Sequence, residues 1–208
     1  MKNSTYIQNY SDSIVNSIRS TIVTENGNEL SFDDGLEKLC ELSDTLQKAN
    51  KNQYLIGNGA SAAFADHMAL DWTKNGGVKT YSFNGISQLT AIANDTGSEN
   101  LFSKPLEWYA ERKDLLLVIS SSGNSQNIIS AVNTALKKEM YIVTFTGLKP
   151  DNQVRAMGNL NFYISAKTYG IVECVHQIIL HMWLDKFMNI KEWERTIEQN
   201  MNLDAYQA

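Results

Sequence analysis

Apolar positions along the chain follow two different patterns, and the change between them falls near Gln53. Before that point, apolar side chains recur at steps of three and four, from Ile7 to Ile22 and from Leu36 to Leu46. This spacing predicts two amphipathic helices, and Asn26-Gly27-Asn28 between them predicts a turn. The helical pair has an apolar stripe to bury, either on the rest of the chain or on a neighbouring subunit.

After Gln53, short apolar runs alternate with small-residue loops and with segments of helical spacing. Such alternation of strands and helices is typical of a parallel sheet. The predicted strands are residues 54–56, 80–83, 115–119, 141–144 and 161–164. The predicted helices are residues 61–73, 88–93, 100–110, 125–138, 153–157 and 171–187.

These patterns predict an α/β fold, with a doubly wound, five-stranded parallel sheet preceded by an N-terminal helical pair. The predicted boundaries are residues 1–50 for the N-terminal helices, 51–190 for the main domain and 191–208 for a C-terminal tail.

Composition and charge argue against several classes of protein. A net charge of −5 lacks the positive field that attracts nucleic acid, so no nucleic-acid partner is expected. Cys40 and Cys174 lie far apart, which predicts neither a disulfide framework nor a cysteine metal cage and suits a reducing compartment. The chain has no uncharged stretch of about 18 residues and its N-terminus lacks the apolar core of a signal peptide. We therefore expect a cytoplasmic protein without a membrane partner.

Two loops rich in serine and glycine each follow a predicted strand and precede a predicted helix. They are Gly57-Asn58-Gly59-Ala60-Ser61 and Ser120-Ser121-Ser122-Gly123-Asn124-Ser125. In an open parallel sheet, the helix after each strand directs free N–H groups and a positive dipole end at the ligand space. Hydroxyl groups add donors without any lysine, so the loops predict a phosphate site. The structural alternative is that Ser61 and Ser125 cap helices, but two matched loops favour the ligand site.

The first loop also fits a loose dinucleotide fingerprint, Gly57-x-Gly59-x-x-Ala62. That fingerprint expects an acidic residue near the end of the next strand, whereas the chain has Tyr81-Ser82-Phe83-Asn84 there. No Gly-Lys-Ser/Thr follows the glycines, which excludes a P-loop. A nicotinamide cofactor is therefore not favoured.

Four polar side chains on otherwise apolar predicted helices are candidates for chemistry. His67 and Asp71 are four residues apart and share one helix face. Glu173 and His181 are separated by about 80° around a second, apolar helix, so both can border one cleft. His176 lies about 140° from His181 and is expected to face elsewhere. Buried acidic groups and histidines need partners, and their position after a phosphate loop favours a catalytic or metal-binding role.

These residues resemble the SIS (sugar isomerase) domain and, within it, the phosphoheptose isomerases. The likeness extends over residues 51–187. It is carried by Gly57-Asn58-Gly59-Ala60-Ser61-Ala62-Ala63 with Asp66-His67, by Leu89-Thr90-Ala91-Ile92-Ala93-Asn94-Asp95, and by Ile119-Ser120-Ser121-Ser122-Gly123-Asn124-Ser125.

The resemblance implies a flavodoxin-like SIS fold and a homotetramer. It also implies an isomerase that interconverts sedoheptulose 7-phosphate and D-glycero-D-manno-heptose 7-phosphate through an enediol, in heptose synthesis for lipopolysaccharide or capsule. Zinc is the implied cofactor, with no organic cofactor, and a sugar phosphate is the implied small-molecule partner.

The resemblance also implies roles for individual residues. Substrate or phosphate contacts are expected from Asn58, Gly59, Ser61, Asp95, Ser120, Ser121, Ser122 and Ser125. The expected metal ligands are His67, Asp71, Glu173 and His181. The expected catalytic residues are Glu173, His181 and Asp71, with His181 as the acid that protonates the intermediate.

The chain departs from the family pattern at two catalytic positions. Asp71 replaces a glutamate that serves as ligand and base, and Glu173 replaces a glutamine. We hypothesise that the two changes compensate, with Asp71 as a metal ligand and Glu173 as the base. The segment 166–170 lacks the usual Asp-Arg, which bears on substrate length and identity.

Two other functions are open to the same fold. A related branch is a replication-initiation regulator that binds DnaA and has lost the catalytic glutamate and the last histidine. This chain keeps His181 and an acid at Asp71, which favours the enzyme. A phosphosugar-sensing module is the other alternative, although no attached DNA-binding segment is visible.

Overall fold

The computed structural model describes residues 5–194, which form seven α-helices and one seven-stranded sheet. The helices are α1 (Tyr6–Arg19), α2 (Phe32–Lys48), α3 (Ala60–Lys74), α4 (Ile86–Thr96), α5 (Ser103–Tyr109), α6 (Gln126–Lys137) and α7 (Tyr169–Phe187). The strands are β1 (Ile22–Glu25), β2 (Asn28–Leu30), β3 (Gln53–Gly57), β4 (Thr80–Ser82), β5 (Leu115–Ser120), β6 (Tyr141–Gly147) and β7 (Leu160–Ile164). The predicted tail, residues 191–208, lies mostly outside the described residues.

The sheet has the strand order β2-β1-β7-β6-β5-β3-β4, and the five strands from β7 to β4 are parallel. The prediction of a five-stranded parallel sheet is therefore confirmed. Strands β3, β5 and β7 are buried along their whole length, because helices cover both faces of the sheet. Their continuous apolar runs follow from that burial.

A β-hairpin that the sequence did not predict extends the sheet beyond β7. β1 pairs with β7 in the antiparallel direction, and β2 pairs with β1. Asn26 and Gly27 form the tight turn with φ of 48° and 85°, as two-residue hairpin turns require. The assignment of Ile22 to the first helix was wrong, since α1 ends at Arg19 and Ile22 pairs with Tyr163.

The predicted helical pair, α1 and α2, is present and packs against α7. Leu36, Leu39 and Leu46 of α2 join the apolar core that α3 and α7 form on one face of the sheet. A second core on the opposite face is covered by α5 and α6. Within residues 5–194, no helix has the length and apolar character needed to cross a membrane.

Adjacent strands β3 and β5 send the chain to opposite faces of the sheet. The helix after β3 is α3, which lies in the first core, and the helix after β5 is α6, which lies in the second. This is the topological switch point of a flavodoxin-like sheet, where ligands bind beyond the carboxyl ends of the strands. Both loops singled out in the sequence begin at this point.

Candidate active site

The two serine-containing loops lie side by side at the switch point. Gly57, at the end of β3, pairs with Ile119 of β5, so residues 57–61 and 120–125 leave the same edge of the sheet. Asn58 and Asn127 join the loops through two reciprocal hydrogen bonds of 3.0 and 2.9 Å between their carboxamides. The structure therefore brings the two predicted loops together. Asn127 was missed, although an amide in the first turn of α6 was visible in the sequence.

Neither Ser61 nor Ser125 caps a helix through its side chain. Ser61 lies inside α3, whose N-cap is Gly59, and Ser125 is the N-cap of α6 but makes no capping bond with its side chain. The capping alternative was therefore wrong. Ser121 Oγ is buried and has no hydrogen-bond partner within the described residues. Serine hydroxyls without structural partners are suited to bind a ligand oxyanion.

The last residue of β6 and the segment after it hold the second loop in place. Gly147 N–H donates to the Ser121 carbonyl at 3.1 Å, and Val154 N–H donates to the Gly123 carbonyl at 3.0 Å. Asn124 accepts a further bond from the backbone of Gln153. Half-buried Ser122 is thus carried on a loop whose backbone is fixed from outside the loop.

Gly123 is expected to be essential for the shape of this loop. Its φ is +61°, and a Cβ atom there would lie 1.9 Å from Asn152 Oδ1. We expect Gly123→Ala to weaken inorganic phosphate binding about tenfold, because the loop must move to relieve the overlap. Isothermal titration with phosphate measures the loss. Gly27→Ala is the matched control, since Gly27 also has positive φ but has open space around it. Equal phosphate affinity in both variants would contradict the prediction.

A polar hollow of about 620 Å³ lies beside the loops and is lined by Asn58, Ser125, Ser98 and Glu99, among others. Asp95 is exposed one turn before Ser98, near the end of α4, and accepts a hydrogen bond from Asn94. The structure thus places Asp95 on the helix that leads to the hollow.

Three of the four predicted metal ligands form a compact group. The ligand atoms of His67, Asp71 and His181 all lie within 4.8 Å of one another. His67 Nε2 is 3.3 Å from Asp71 Oδ2, and the two histidine rings are 5.4 Å apart. Two imidazoles with one carboxylate are a donor set that fits catalytic zinc and leaves a position open. Among the described residues, Glu173 is not part of this group.

Glu173 lies in a groove of about 690 Å³ that His181, Gln177 and Phe64 also line. Gln177 Nε2 is 2.8 Å from His181 Nε2. Sequence reasoning missed Gln177, although its position one helical turn before His181 was a usable signal. Glu173 and His181 both lie on α7, so this groove contains a carboxylate and an imidazole from the same helix.

His176 faces away from His181, as predicted. It is fully buried beside Phe145, and its Nε2 lies 3.2 Å from the Thr146 carbonyl, so the ring donates to β6. Burial disfavours the imidazolium and lowers the pKa of His176 from 6.5 to about 4. The ring is therefore neutral at neutral pH, and it ties α7 to the strand beside the second loop.

The buried His176 predicts a loss of stability in mild acid. Because its pKa is lower in the folded state, stability is present above about pH 6.5 and lost as the pH falls towards 4. The pKa change corresponds to about 3 kcal/mol of unfolding free energy. Urea unfolding across this range measures it, and His176→Gln is expected to flatten the profile. Parallel profiles for the parent and His176→Gln would contradict the assignment.

Paired hydroxyl-rich loops at the switch point of a doubly wound sheet are the arrangement that anion-binding α/β proteins use. Residues 9–147 match the family model described as the SIS domain. The phosphoheptose isomerase of Fusobacterium nucleatum is 30% identical over 168 residues, covering 78% of this chain and 86% of the relative. That of Sulfurimonas denitrificans is 33% identical over 174 residues, covering 81% and 87%.

Solved structures agree with these relatives. The phosphoheptose isomerase from Francisella tularensis superposes with a TM-score of 0.76 at 20% identity, covering 89% of this chain and 95% of that one. The phosphoheptose isomerase from Neisseria gonorrhoeae gives 0.75 at 24% identity, covering 88% and 95%. At such identities the superpositions establish the fold. By its sequence matches the chain belongs to the SIS-domain family and, within it, to the phosphoheptose isomerases.

Proposed function

We propose that the protein is an aldose-ketose isomerase that interconverts sedoheptulose 7-phosphate and D-glycero-D-manno-heptose 7-phosphate. The supporting observation is that α3 begins at the first loop and carries His67 and Asp71, which form the ligand group with His181 of α7. His67 is six positions after Ser61 along α3, an axial distance of about 9 Å. The six bonds between C1 and C7 of a heptose span about 8 Å, since three backbone bonds span 3.8 Å. The two lengths are comparable, and the proposal places the phosphate in the loops and the carbonyl end beside the histidines.

The chain's own residues account for both proton transfers. Glu173 removes the proton from the carbon next to the carbonyl, and His181 protonates the carbonyl oxygen, which gives the enediol. Glu173 then returns its proton to the former carbonyl carbon, and His181 takes the proton from the other oxygen, so both residues return to their starting states. A histidine has two ring nitrogens, so His181 can serve the ligand group with one and the intermediate with the other.

His67, Asp71 and His181 are the residues that fit a zinc ion. A zinc ion held by these residues would polarise the substrate carbonyl and stabilise negative charge on its oxygen. Asp71 then serves as a ligand, and Glu173, outside the group, is left to act as the base.

Solvent isotope exchange tests this function. Purified protein is incubated with sedoheptulose 7-phosphate in deuterated water, with zinc and with a chelator. Incorporation of deuterium at the carbon next to the carbonyl is the expected result, and chelation is expected to reduce it at least tenfold. Absence of exchange in every metal-supplemented sample, together with a measured protein partner, would favour the regulator.

The same proposal includes a homotetramer in the cytoplasm that supplies heptose for lipopolysaccharide or capsule. The support for association between copies is the exposed apolar face of α1, where Tyr6 and Ile7 are 83% and 74% exposed. Tyr10, on the same helix, borders the groove that holds Glu173. We expect Ile7→Glu to lower the mass measured by light scattering, because it places a charge in the apolar contact. Asn9→Glu is the control on the same helix. A monomeric parent protein would contradict the tetramer.

A further inference from the structure

We infer that Gln177, rather than Glu173, supplies the fourth protein donor to a divalent metal held by His67, Asp71 and His181. The inference rests on the proposed function, because it concerns the same metal group. It differs from the sequence-based expectation, in which Glu173 was the fourth ligand.

The Gln177 side chain is already next to the group and is incompletely bonded. Its Nε2 lies 2.8 Å from His181 Nε2 and 3.8 Å from Met68 Sδ, and sulfur is a weak acceptor. Its Oε1 is buried and has no hydrogen-bond partner within the described residues. A buried carbonyl oxygen without a partner is destabilising, and coordination to a cation would satisfy it.

Helix geometry also favours Gln177 over Glu173. Gln177 precedes His181 by four residues, so both side chains lie on one face, about 6 Å apart along the axis. Glu173 precedes His181 by eight residues, about 12 Å along the axis. Rotating the Gln177 carboxamide by 180° exchanges its nitrogen and oxygen, which places Oε1 beside His181 and Nε2 in the buried position that Oε1 holds now.

The separation that two donors of one zinc ion require is close to the observed contact between Gln177 and His181. Two donors of one tetrahedral zinc lie about 3.3 Å apart, from bond lengths of about 2.0 Å. The 2.8 Å contact between Gln177 and His181 therefore needs to lengthen by about half an ångström.

A neutral fourth donor also suits the chemistry, because catalytic zinc can expand to five donors and so still accept the substrate oxygen. With one carboxylate, two imidazoles and a carboxamide, a divalent ion keeps a net charge of +1 at its site. A second carboxylate would cancel that charge and weaken polarisation of the substrate carbonyl. Leaving Glu173 uncoordinated keeps its oxygen lone pairs free to accept a proton.

Metal affinity distinguishes the two candidate donors without relying on activity. Zinc dissociation constants are measured by competition with a chromophoric chelator, and the visible spectrum of bound Co²⁺ reports the ligand set. We expect Gln177→Met, which removes the oxygen but keeps the length, to weaken zinc binding about 10- to 100-fold and to alter the spectrum. Gln177→Glu is expected to restore both. Glu173→Gln is expected to leave the affinity within about threefold of the parent.

Gln88→Met is the matched control, because Gln88 is a half-buried glutamine on α4, outside the groove. Circular dichroism of each variant shows that it folds. Weakened zinc binding in Glu173→Gln, with parental binding in Gln177→Met, would overturn the inference, while isotope exchange by the parent protein would leave the proposed isomerase standing. A parent protein that neither binds metal nor exchanges deuterium would overturn both.

Discussion

Glu173→Gln is expected to reduce deuterium exchange into sedoheptulose 7-phosphate by at least about 100-fold, because a carboxamide cannot accept the proton from carbon. Asp71→Asn is expected to retain measurable exchange at saturating zinc, since its amide oxygen can still coordinate. The structural basis is the separation of the two acids, with Asp71 in the ligand group and Glu173 outside it. Exchange is followed by mass spectrometry of the sugar phosphate.

Asp185→Asn is the matched control for this pair, because Asp185 lines the same groove on the same helix. It removes a negative charge without removing the proposed base, so it is expected to keep near-parental exchange. The opposite pattern, in which Asp71→Asn abolishes exchange and Glu173→Gln retains it, would identify Asp71 as the base.

Trp72→Ala is expected to destabilise the fold by about 3–5 kcal/mol. Trp72 and Trp183 are fully buried, with ring centroids 4.5 Å apart, and Phe187 packs 5.2 Å from Trp72. The alanine would leave a large cavity between α3 and α7, and the surrounding helices can fill it only in part. Urea unfolding at fixed protein concentration measures the change.

The same substitution is expected to weaken zinc binding, because α3 carries His67 and Asp71 whereas α7 carries His181. Trp72→Phe is the control that keeps an aromatic ring in the cluster, and it is expected to have the smaller effect on both stability and affinity. A loss below about 1 kcal/mol for Trp72→Ala would show that the aromatic contact does not hold the two helices together.

The parallel sheet was predictable because its strands are short apolar runs between recognisable loops. The hairpin was not, since Ile22 continues the helical spacing of α1 and the two strands have only four and three residues. The turn at Asn26 was recognised, but its strands form through pairing with β7, which is distant in sequence. Long-range pairing overrode the local helical pattern.

Part of the candidate site was likewise predictable from the sequence, and part was not. Spacing along α3 placed His67 and Asp71 on one face, and the SIS-domain resemblance placed His181 near them. The Asn58 and Asn127 pairing and the Gln177 contact could not be predicted, because they depend on side-chain conformations across separate elements. Individual contributions of the loop serines and of Asp95 to substrate binding stay predictions.

The hairpin also changes what counts as the smallest independently folding unit. A fragment that begins at Lys51 retains every parallel strand but strips β1 from β7, leaving four residues of unpaired backbone along an apolar edge. It also lacks α2 and with it Leu36, Leu39 and Leu46, so core side chains beneath that helix are uncovered. Open edges of this kind recruit strands from other molecules. Such a fragment is therefore expected to polymerise edge to edge rather than behave as a minimal sugar-phosphate module.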